Sequence, residues 1–379
     1  MKCSTSLTVI SVNSAKNHRK ASINRRFGCH CRQQATPACL LSSTRNALMQ
    51  RITLKLLRYS LKHEPRTLAR LGVLIAHDRI ADLRAGYALH LMERAGNPKG
   101  RELAAIYMPP YITEFLHMGE QAWIALADAY AYLSDLAAVR PDAPGFNGEP
   151  LFLPLADCRV YAPIRPSKLI AVGRNYPGYT QFPGKAAGKI PAGFIKTLSS
   201  IVGPGRDIIK PRITQALDCE TELAVVIGKK CKNVREEDAY DVIAGYTIVN
   251  DITARDLGAL ERQAGHLFLG KTLDTFAPMG PWMITRDAIP DPMHLRIQTR
   301  VNGETRQDGN TRDMLFPIPQ LIAHFSQMTL RPGDIIATGS PGGGALSNPD
   351  WYLNAGDVIE SEVEGIGVLK NGVVDEPAA

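Results

Sequence analysis

The stretch DCETELAVVIGKK, residues 218–230, places two glutamates at the start of a run of apolar side chains. The run Leu223–Ile227 predicts a buried strand, in which side chains two residues apart share a face with Cβ atoms about 7 Å apart. Glu220 and Glu222 should therefore converge. Two such carboxylates either face water at a sheet edge, repel each other at a cost in stability, or share a cation that offsets their desolvation. The stretch alone leaves these alternatives open.

Composition narrows the classes of partner. The chain of 379 residues is long enough for two domains, and 45% hydrophobic with 21% charged residues is typical of a globular protein. The net charge is +7, but residues 1–48 hold eight lysines and arginines and no acid, so the remainder is near neutral. Nucleic-acid binding requires a basic patch on the folded part, and a membrane span requires about 18 apolar residues in a row. We expect neither partner.

Residues 1–48 form a separate compositional segment. They are rich in Ser and Arg and show no lasting periodicity, as in a transit peptide or a leader read through from an upstream start. We expect a disordered leader or a mis-assigned start, with Met49 as the natural beginning. The CHC spacing at residues 29–31 matches no standard zinc finger. The cysteines beyond the leader are scattered and odd in number, which indicates reduced thiols in a cytoplasmic protein: Cys158, Cys219 and Cys231.

The chain after the leader divides at a segment dense in Pro and Gly, residues 140–150. Before it, residues 49–150 predict a small α+β domain and linker, with short strands between 51 and 83 and a helix over 119–139. After it, residues 151–379 predict many short strands, with helices only near 236–243 and 319–325. The VNGE segment at 301–304 predicts a hairpin turn. The predicted fold class is α+β and rich in β-structure.

Asp251 supplies a third carboxylate, 29 residues beyond Glu222 and directly after the strand-like run YTIVN. It could cap the following helical turn, or it could point into a cleft. Three carboxylates with no accompanying His or Cys form an oxygen-only ligand set, which suits Mg²⁺ or Mn²⁺ better than Zn²⁺.

Two irregular segments could complete such a site. Lys271 lies in a stiff loop between Gly270 and Pro281, and it could stabilise a developing enolate or simply be a solvated lysine. ATGSPGGG, residues 337–344, follows a strand, and its backbone N–H groups at Gly339 and Ser340 could bind a carboxylate or oxyanion. A plain turn is the alternative for this segment.

In order and spacing, these elements resemble the fumarylacetoacetate hydrolase superfamily. The resemblance covers about residues 167–373, and its elements include KLIAVGRNY, DCETELAVVIGK, YTIVNDITARDL, GKTLDTFAPMGPW, VNGETRQDGNTRDMLF and LRPGDIIATGSPGG. It implies a mixed β-sheet roll as the catalytic domain, 151–379. Residues 51–150 resemble the variable N-terminal domain of many members, which are commonly homodimers.

The resemblance also implies a site. It assigns Mg²⁺ ligation to Glu220, Glu222 and Asp251, and a catalytic role to Lys271. Its substrates are small 2-oxo and diketo acids. The residues implied to bind substrate come from the matched motifs: Arg174, Tyr176, Arg255, Thr275, Gly339 and Ser340.

The first loop departs from the family pattern. Hydrolytic members read NY-x-x-H-x-x-E, where His activates water and Glu orients it, whereas this chain has Tyr179 and Phe182 at those positions. A Gln that often positions water is Gly258 here. The implied metal ligands are therefore present and the water-activating residues are not.

Two functions remain open at this point. The first is a metal-dependent enzyme that acts on a small 2-oxo or diketo acid through an enolate, by C–C bond hydrolysis, decarboxylation, hydration or isomerisation, with Tyr179 as a hydrogen-bond or proton donor. The second is a catalytically silent, metal-binding protein of the same fold. We expect the first, because enolate chemistry depends on the cation more than on a hydrolytic base.

Overall fold

A computed structural model of the chain describes residues 53–76, 78–177 and 188–378. Most regular structure in this part of the chain is β-strand. The strands are β1 (Lys55–Leu61), β2 (Arg70–Ala76), β3 (Arg79–Asp82), β4 (Phe152–Pro154), β5 (Cys158–Tyr161), β6 (Leu169–Gly173), β7 (Ala192–Lys196), β8 (Ile201–Val202), β9 (Ile208–Lys210), β10 (Leu217–Asp218), β11 (Thr221–Ile227), β12 (Ile243–Asn250), β13 (Thr253–Ala254), β14 (Ala277–Thr285), β15 (Arg296–Val301), β16 (Glu304–Asn310), β17 (Ile335–Ala337), β18 (Val358–Val363) and β19 (Gly367–Asp375).

Helices are concentrated before residue 140. The α-helices are α1 (Leu83–Leu89), α2 (Gly100–Tyr107), α3 (Ile112–His117), α4 (Glu120–Val139), α5 (Arg255–Gln263), α6 (Leu269–Thr272) and α7 (Ile318–Phe325). A π-helical turn, His90–Arg94, follows α1, and Glu236–Val242 form a 3₁₀ helix. Among the described helices, none has the length and apolar content needed to cross a bilayer.

One large mixed sheet forms the centre of the fold. Its strand order is β4-β3-β2-β1-β14-β12-β11-β17-β6-β7, with β5 beside β1 and β8 beside β14. Pairing is antiparallel along this order except between β17 and β6, which are parallel. A five-stranded sheet has the order β16-β15-β18-β19-β9. The predicted class, α+β and rich in β-structure, is confirmed.

The strand that contains Glu222 lies in the interior of the large sheet. β11 pairs with β12 on one side and β17 on the other, and all seven of its residues are buried. A strand covered on both faces is apolar throughout, as the run Leu223–Ile227 is. Its sequence therefore reflects a central strand and not a sheet edge.

Several predicted elements are confirmed. The helix predicted over 119–139 is α4, and the helix predicted at 319–325 is α7, which begins one residue earlier. The VNGE segment is the turn between β15 and β16, where Asn302 and Gly303 both have positive φ, as a type I′ hairpin turn requires. The helix predicted at 236–243 is 3₁₀ in geometry.

The N-terminal strands extend the large sheet, because β1 pairs with β14. The described residues form one compact unit. The leader, residues 1–48, and its expected disorder lie outside the described residues, and the boundary near 140–150 stays a prediction. The described cysteines, Cys158, Cys219 and Cys231, are all free thiols.

Candidate functional site

Three carboxylates meet where β11 begins and β12 ends. Glu220 immediately precedes β11, Glu222 is the second residue of that strand, and Asp251 immediately follows β12. Their side chains are buried, with residue exposures of 5%, 1% and 1%. One oxygen from each lies within 4.8 Å of the others. A solvated sheet edge, one of the alternatives for Glu220 and Glu222, is therefore wrong.

Strand pairing explains why these residues converge. In the antiparallel β11–β12 ladder Thr221 lies opposite Asn250, so the residues just outside the pair, Glu220 and Asp251, face each other. The Asp251 N–H donates to the Glu220 carbonyl at 2.8 Å, and the Glu220 N–H donates to Asn250 Oδ1 at 2.9 Å. Asp251 does not cap the following helix, which begins at Arg255.

Two buried lysines contact the carboxylates. Lys271 Nζ, from α6, lies 2.5 Å from Glu220 Oε2 and 2.5 Å from Asp251 Oδ2. Lys196 Nζ, from β7, contacts Asp251 Oδ1 and donates to two backbone carbonyls, those of Lys271 at 2.5 Å and Ile252 at 3.3 Å. Asp251 thus lies between the Nζ atoms of two lysines. Lys196 also holds the backbone of Lys271 in place, through its hydrogen bond to the Lys271 carbonyl.

Burial and neighbouring charges shift the pKa values in opposite directions. Burial raises the pKa of Glu222 well above its ordinary value, and the charges of Asp251 and Glu220 raise it further. Burial alone would lower the pKa of Lys271, but Asp251 and Glu220 outweigh it, so the pKa is raised. For Lys196 burial prevails and the pKa is lowered. The two carboxylates therefore favour the ammonium form of Lys271.

The carboxylate cluster fits a hard divalent cation. Three buried carboxylates supply oxygen ligands only, and the described residues place no His or Cys with them. Burial and the charges of Asp251 and Glu220 raise the pKa of Glu222, and a bound divalent cation would offset both effects. Glu220, Glu222 and Asp251 are thus the residues that could hold such an ion.

Two residues expected to bind substrate also form hydrogen bonds with the carboxylates. Arg255 donates to Asp218 Oδ2 at 2.9 Å and to Glu220 Oε1 at 2.6 Å, so its guanidinium bridges two buried acids. The Gly339 N–H donates to Glu222 Oε2 at 2.9 Å. Gly339 has φ +93° and a Cβ there would meet Asn175 Cβ at 2.8 Å, which explains the glycine.

A cleft of about 570 Å³ opens onto the cluster. It brings together the expected residues Arg174, Ser340, Arg255 and Lys271 with Glu220 and Glu222. Phe194 forms part of the wall, and its ring centroid lies 5.3 Å from Lys271 Nζ. The cleft is therefore cationic and apolar around a carboxylate floor.

Two further expected residues, Thr275 and Tyr176, are not among the described residues that line the cleft. Thr275 is not brought into the cleft, because its hydroxyl accepts a hydrogen bond from the Ile209 N–H at 2.8 Å. Tyr176 is 2% exposed, and its hydroxyl has no hydrogen-bond partner among the described residues. Burial raises the pKa of Tyr176, and so does the nearby charge of Glu222. Tyr179 lies outside the described residues.

Three residues near the site were not predicted from the sequence: Lys196, Glu261 and Arg262. Arg262 lines the cleft together with Arg174. Lys196 is 1% exposed although its neighbour Ile195 is 47% exposed. The sequence signal for Lys196 is its spacing from Phe194, because residues two apart in β7 share one face of the strand. An inward lysine beside an outward isoleucine reverses the usual pattern and points to a buried charge partner.

Glu261 fixes the start of the helix that contains Lys271. Its carboxylate accepts hydrogen bonds from the backbone N–H groups of Phe268 at 2.9 Å, Leu269 at 2.6 Å and Gly270 at 3.1 Å. Burial tends to raise the pKa of Glu261, but these donors outweigh it and lower the pKa. Glu261 thus holds the N-terminal end of α6, the helix on which Lys271 lies.

Glu261→Gln should weaken this attachment, because the amide keeps only one oxygen to accept three N–H groups. We expect a loss of about 1–3 kcal/mol in unfolding free energy at neutral pH and a fall in kcat of up to about 100-fold from displacement of Lys271. Since the folded pKa is lowered, the stability difference should shrink as the pH falls below about 4.3.

Urea unfolding and steady-state kinetics measure both effects of Glu261→Gln. The matched control is Glu237→Gln, because the Glu237 side chain is 65% exposed. A Glu261→Gln enzyme with unchanged kcat would show that Glu261 does not position Lys271.

Comparison with known proteins places this geometry in a family. The model of the fumarylacetoacetate (FAA) hydrolase C-terminal family matches residues 168–374. Human oxaloacetate tautomerase FAHD2A, mitochondrial, is 40% identical over 270 residues, which are 70% of this chain and 81% of that protein.

Solved structures agree with this match over most of the chain. Fumarylacetoacetate hydrolase from Exiguobacterium antarcticum has a TM-score of 0.64 at 32% identity, covering 85% of this chain and 100% of that one. Maleylpyruvate hydrolase from Sphingobium sp. SYK-6, solved with manganese(II) and pyruvate, has a TM-score of 0.59 at 29% identity, with the same coverage of 85% and 100%. The chain therefore belongs to the fumarylacetoacetate hydrolase family and is an enzyme of that superfamily.

Proposed function

We propose that this enzyme interconverts the keto and enol forms of a small 2-oxo dicarboxylic acid of the oxaloacetate class, with a divalent cation. The observation that supports this most is the contact of Lys271 with two buried carboxylates at the floor of a cleft lined by arginines. Such a floor can hold a cation and an ammonium side by side, and both stabilise negative charge on a substrate oxygen.

The proposed cation ligands are Glu220, Glu222 and Asp251, and the proposed ion is Mg²⁺ or Mn²⁺. When bound, such an ion would polarise the 2-oxo group and so acidify the adjacent C–H bond. Arg255 and Gly339 hold two of the carboxylates in place by hydrogen bonds. Lys196 holds the third, Asp251.

Lys271 supplies the second positive charge in the proposed reaction. In tautomerisation the carbon next to the 2-oxo group loses a proton to water, and the oxygen gains one from water or from a donor side chain. Lys271, which contacts Glu220 and Asp251, is the proposed ammonium that donates a hydrogen bond to this oxygen. Tyr179 is the proposed further donor of a hydrogen bond or proton, on the sequence alone.

Two arginines fit the second carboxylate of the substrate. Arg174 and Arg262 line the same cleft as Glu220 and Lys271, and a guanidinium binds a carboxylate with two parallel hydrogen bonds. Ser340, also in the cleft, is a proposed contact for the carboxylate next to the 2-oxo group. A dicarboxylate should therefore be preferred over a monocarboxylate of equal length.

The relatives support the substrate class and the metal. The human relative acts as an oxaloacetate tautomerase, and the Sphingobium structure holds manganese and pyruvate, a 2-oxo acid. A homodimer and a cytoplasmic location complete the proposal, the dimer resting on the family resemblance and the location on the scattered cysteines.

The loss of the family His and Glu in the first loop predicts which reaction is fast. Tautomerisation of oxaloacetate should exceed hydrolysis of an acylpyruvate, because Tyr179, with an unperturbed pKa of about 10, is a poor base for water. Lys271→Met should lower tautomerisation by about 10²–10³-fold, the usual cost of removing one donor to a developing oxyanion.

The ultraviolet absorbance of the enol measures tautomerisation, and loss of the acylpyruvate absorbance measures hydrolysis. The matched control is Lys232→Met, because Lys232 is exposed. Hydrolysis as fast as tautomerisation would show that another residue activates water and would contradict the proposal.

A further inference from the structure

A second cleft, of about 600 Å³, is lined by four arginines and shares no lining residue with the cleft above the carboxylate cluster. We call it the arginine groove and define it by Arg58, Arg66, Arg165 and Arg206. No Asp or Glu of the described residues lines it. None of the four guanidinium groups has a carboxylate within 4.0 Å in the described part of the chain, where other arginines commonly do.

Two of these arginines pack against the same tyrosine ring. The guanidinium carbons of Arg58 and Arg165 lie 4.2 Å and 4.7 Å from the same ring centroid, that of Tyr111. Arg165 Nη1 donates to the Tyr111 hydroxyl at 3.0 Å, which fixes its position. Burial lowers the pKa of Arg58, and the charge of Arg165 lowers it further. The arrangement therefore carries a charge repulsion that no described acid relieves.

Arg58 also has a buried donor without a partner. Its Nε atom is buried and makes no hydrogen bond with any described residue. A second ring, that of Tyr161, lies 4.9 Å from its guanidinium carbon and occupies another side of the group. Buried polar groups are nearly always hydrogen-bonded. Leaving a buried group unbonded costs free energy, and the cost is greater when the group is charged. Arg58 also lines the groove, where an oxygen acceptor with negative charge would complement its guanidinium.

We propose that the arginine groove binds a small organic polyanion through its carboxylate or phosphate groups. Arginine suits both, because its planar fork of donors matches either oxyanion. The groove also has apolar walls, to which buried Ile164 and exposed Leu198 contribute, so the ligand has a carbon skeleton. The first 48 residues of this chain hold eight basic residues and no acidic one, so they cannot supply the counter-charge.

The test measures binding of two probes to the full-length, Mg²⁺-loaded protein. Glycerol 3-phosphate represents the phosphate class and tricarballylate the carboxylate class, each titrated by calorimetry in dilute chloride buffer. The informative variant is R66Q/R206Q, because both side chains are exposed and the protein should fold normally. R58Q removes the guanidinium of the half-buried Arg58, and R312Q/R331Q is the control with two exposed arginines elsewhere.

We expect at least one probe to bind the wild type and the control equally, and to bind R66Q/R206Q and R58Q at least ten-fold more weakly. The probe that behaves in this way identifies the anion class. Equal affinity for wild type and R66Q/R206Q would place binding elsewhere and overturn the proposal, as would failure of both probes to bind wild type. If neither anion binds and R66Q/R206Q changes the oligomeric state measured by sedimentation, the groove would be a contact with a second copy of the chain. That result would also overturn the proposal.

Discussion

Replacing Glu222 with alanine should abolish divalent-cation binding and all activity. Glu222 is one of the three carboxylates that cluster in the described part of the chain, and Mg²⁺ gives up its water reluctantly, so the two remaining acids form a poor site. We expect the affinity for Mg²⁺ to fall by about 100-fold or more, judged from the effect of even indirect changes at metal sites. Titration calorimetry of the metal-free protein measures this directly.

Glu222→Gln separates the charge from the packing. The amide oxygen can still accept the hydrogen bond from the Gly339 N–H, so the fold should be retained while the anionic ligand is lost. Glu237→Gln, at an exposed position, is the control for a general change in charge. Unchanged Mg²⁺ affinity in both Glu222 variants would contradict the three-carboxylate assignment.

Lys196→Met should produce the largest loss of stability. The ammonium contacts Asp251 and two backbone carbonyls in a buried place, so its removal leaves a buried charge and two acceptors with fewer partners. Removing one partner of a buried ion pair lowers the free energy of unfolding by about 3–5 kcal/mol. Metal should reduce this cost, because a cation bound by Asp251 compensates its charge. Chemical denaturation with and without Mg²⁺ measures both.

The comparison for this variant is Lys232→Met, at an exposed position. Binding of Mg²⁺ to the folded state adds to its stability. This gain should be larger in Lys196→Met than in the control, because in that variant the cation also compensates the charge of Asp251. Equal stabilisation in the two variants would mean that Asp251 is not part of the cation site.

The strand core and the carboxylates could be predicted because their signals are local. An apolar run bounded by charges identifies β11, and the Asn-Gly dipeptide identifies the hairpin at residues 302–303. Glu220 and Glu222 are two residues apart, so strand geometry alone aligns them. Asp251 joins them through the register of β11 and β12, which no short stretch of sequence specifies.

Other parts of the site depend on contacts between distant segments. Arg255 lies 35 residues from Glu220 and Gly339 lies 117 residues from Glu222, so only the folded chain identifies their partners. In the sequence, Glu261 looks like a surface glutamate of α5. Its structural role depends on three backbone N–H donors from the following segment, which the sequence does not reveal. Helices α1 to α3 were also not predicted, since each is short and local periodicity needs about three turns to be distinct.

The most direct test is the rate of oxaloacetate enol–keto interconversion by the purified protein before and after chelation of divalent ions. We predict that chelation lowers this rate to that of the uncatalysed reaction, that Mg²⁺ or Mn²⁺ restores it, and that neither ion restores it in Glu222→Gln. A rate that is unchanged by chelation, or that equals the uncatalysed rate with either ion present, would contradict a metal-dependent tautomerase built on Glu220, Glu222 and Asp251.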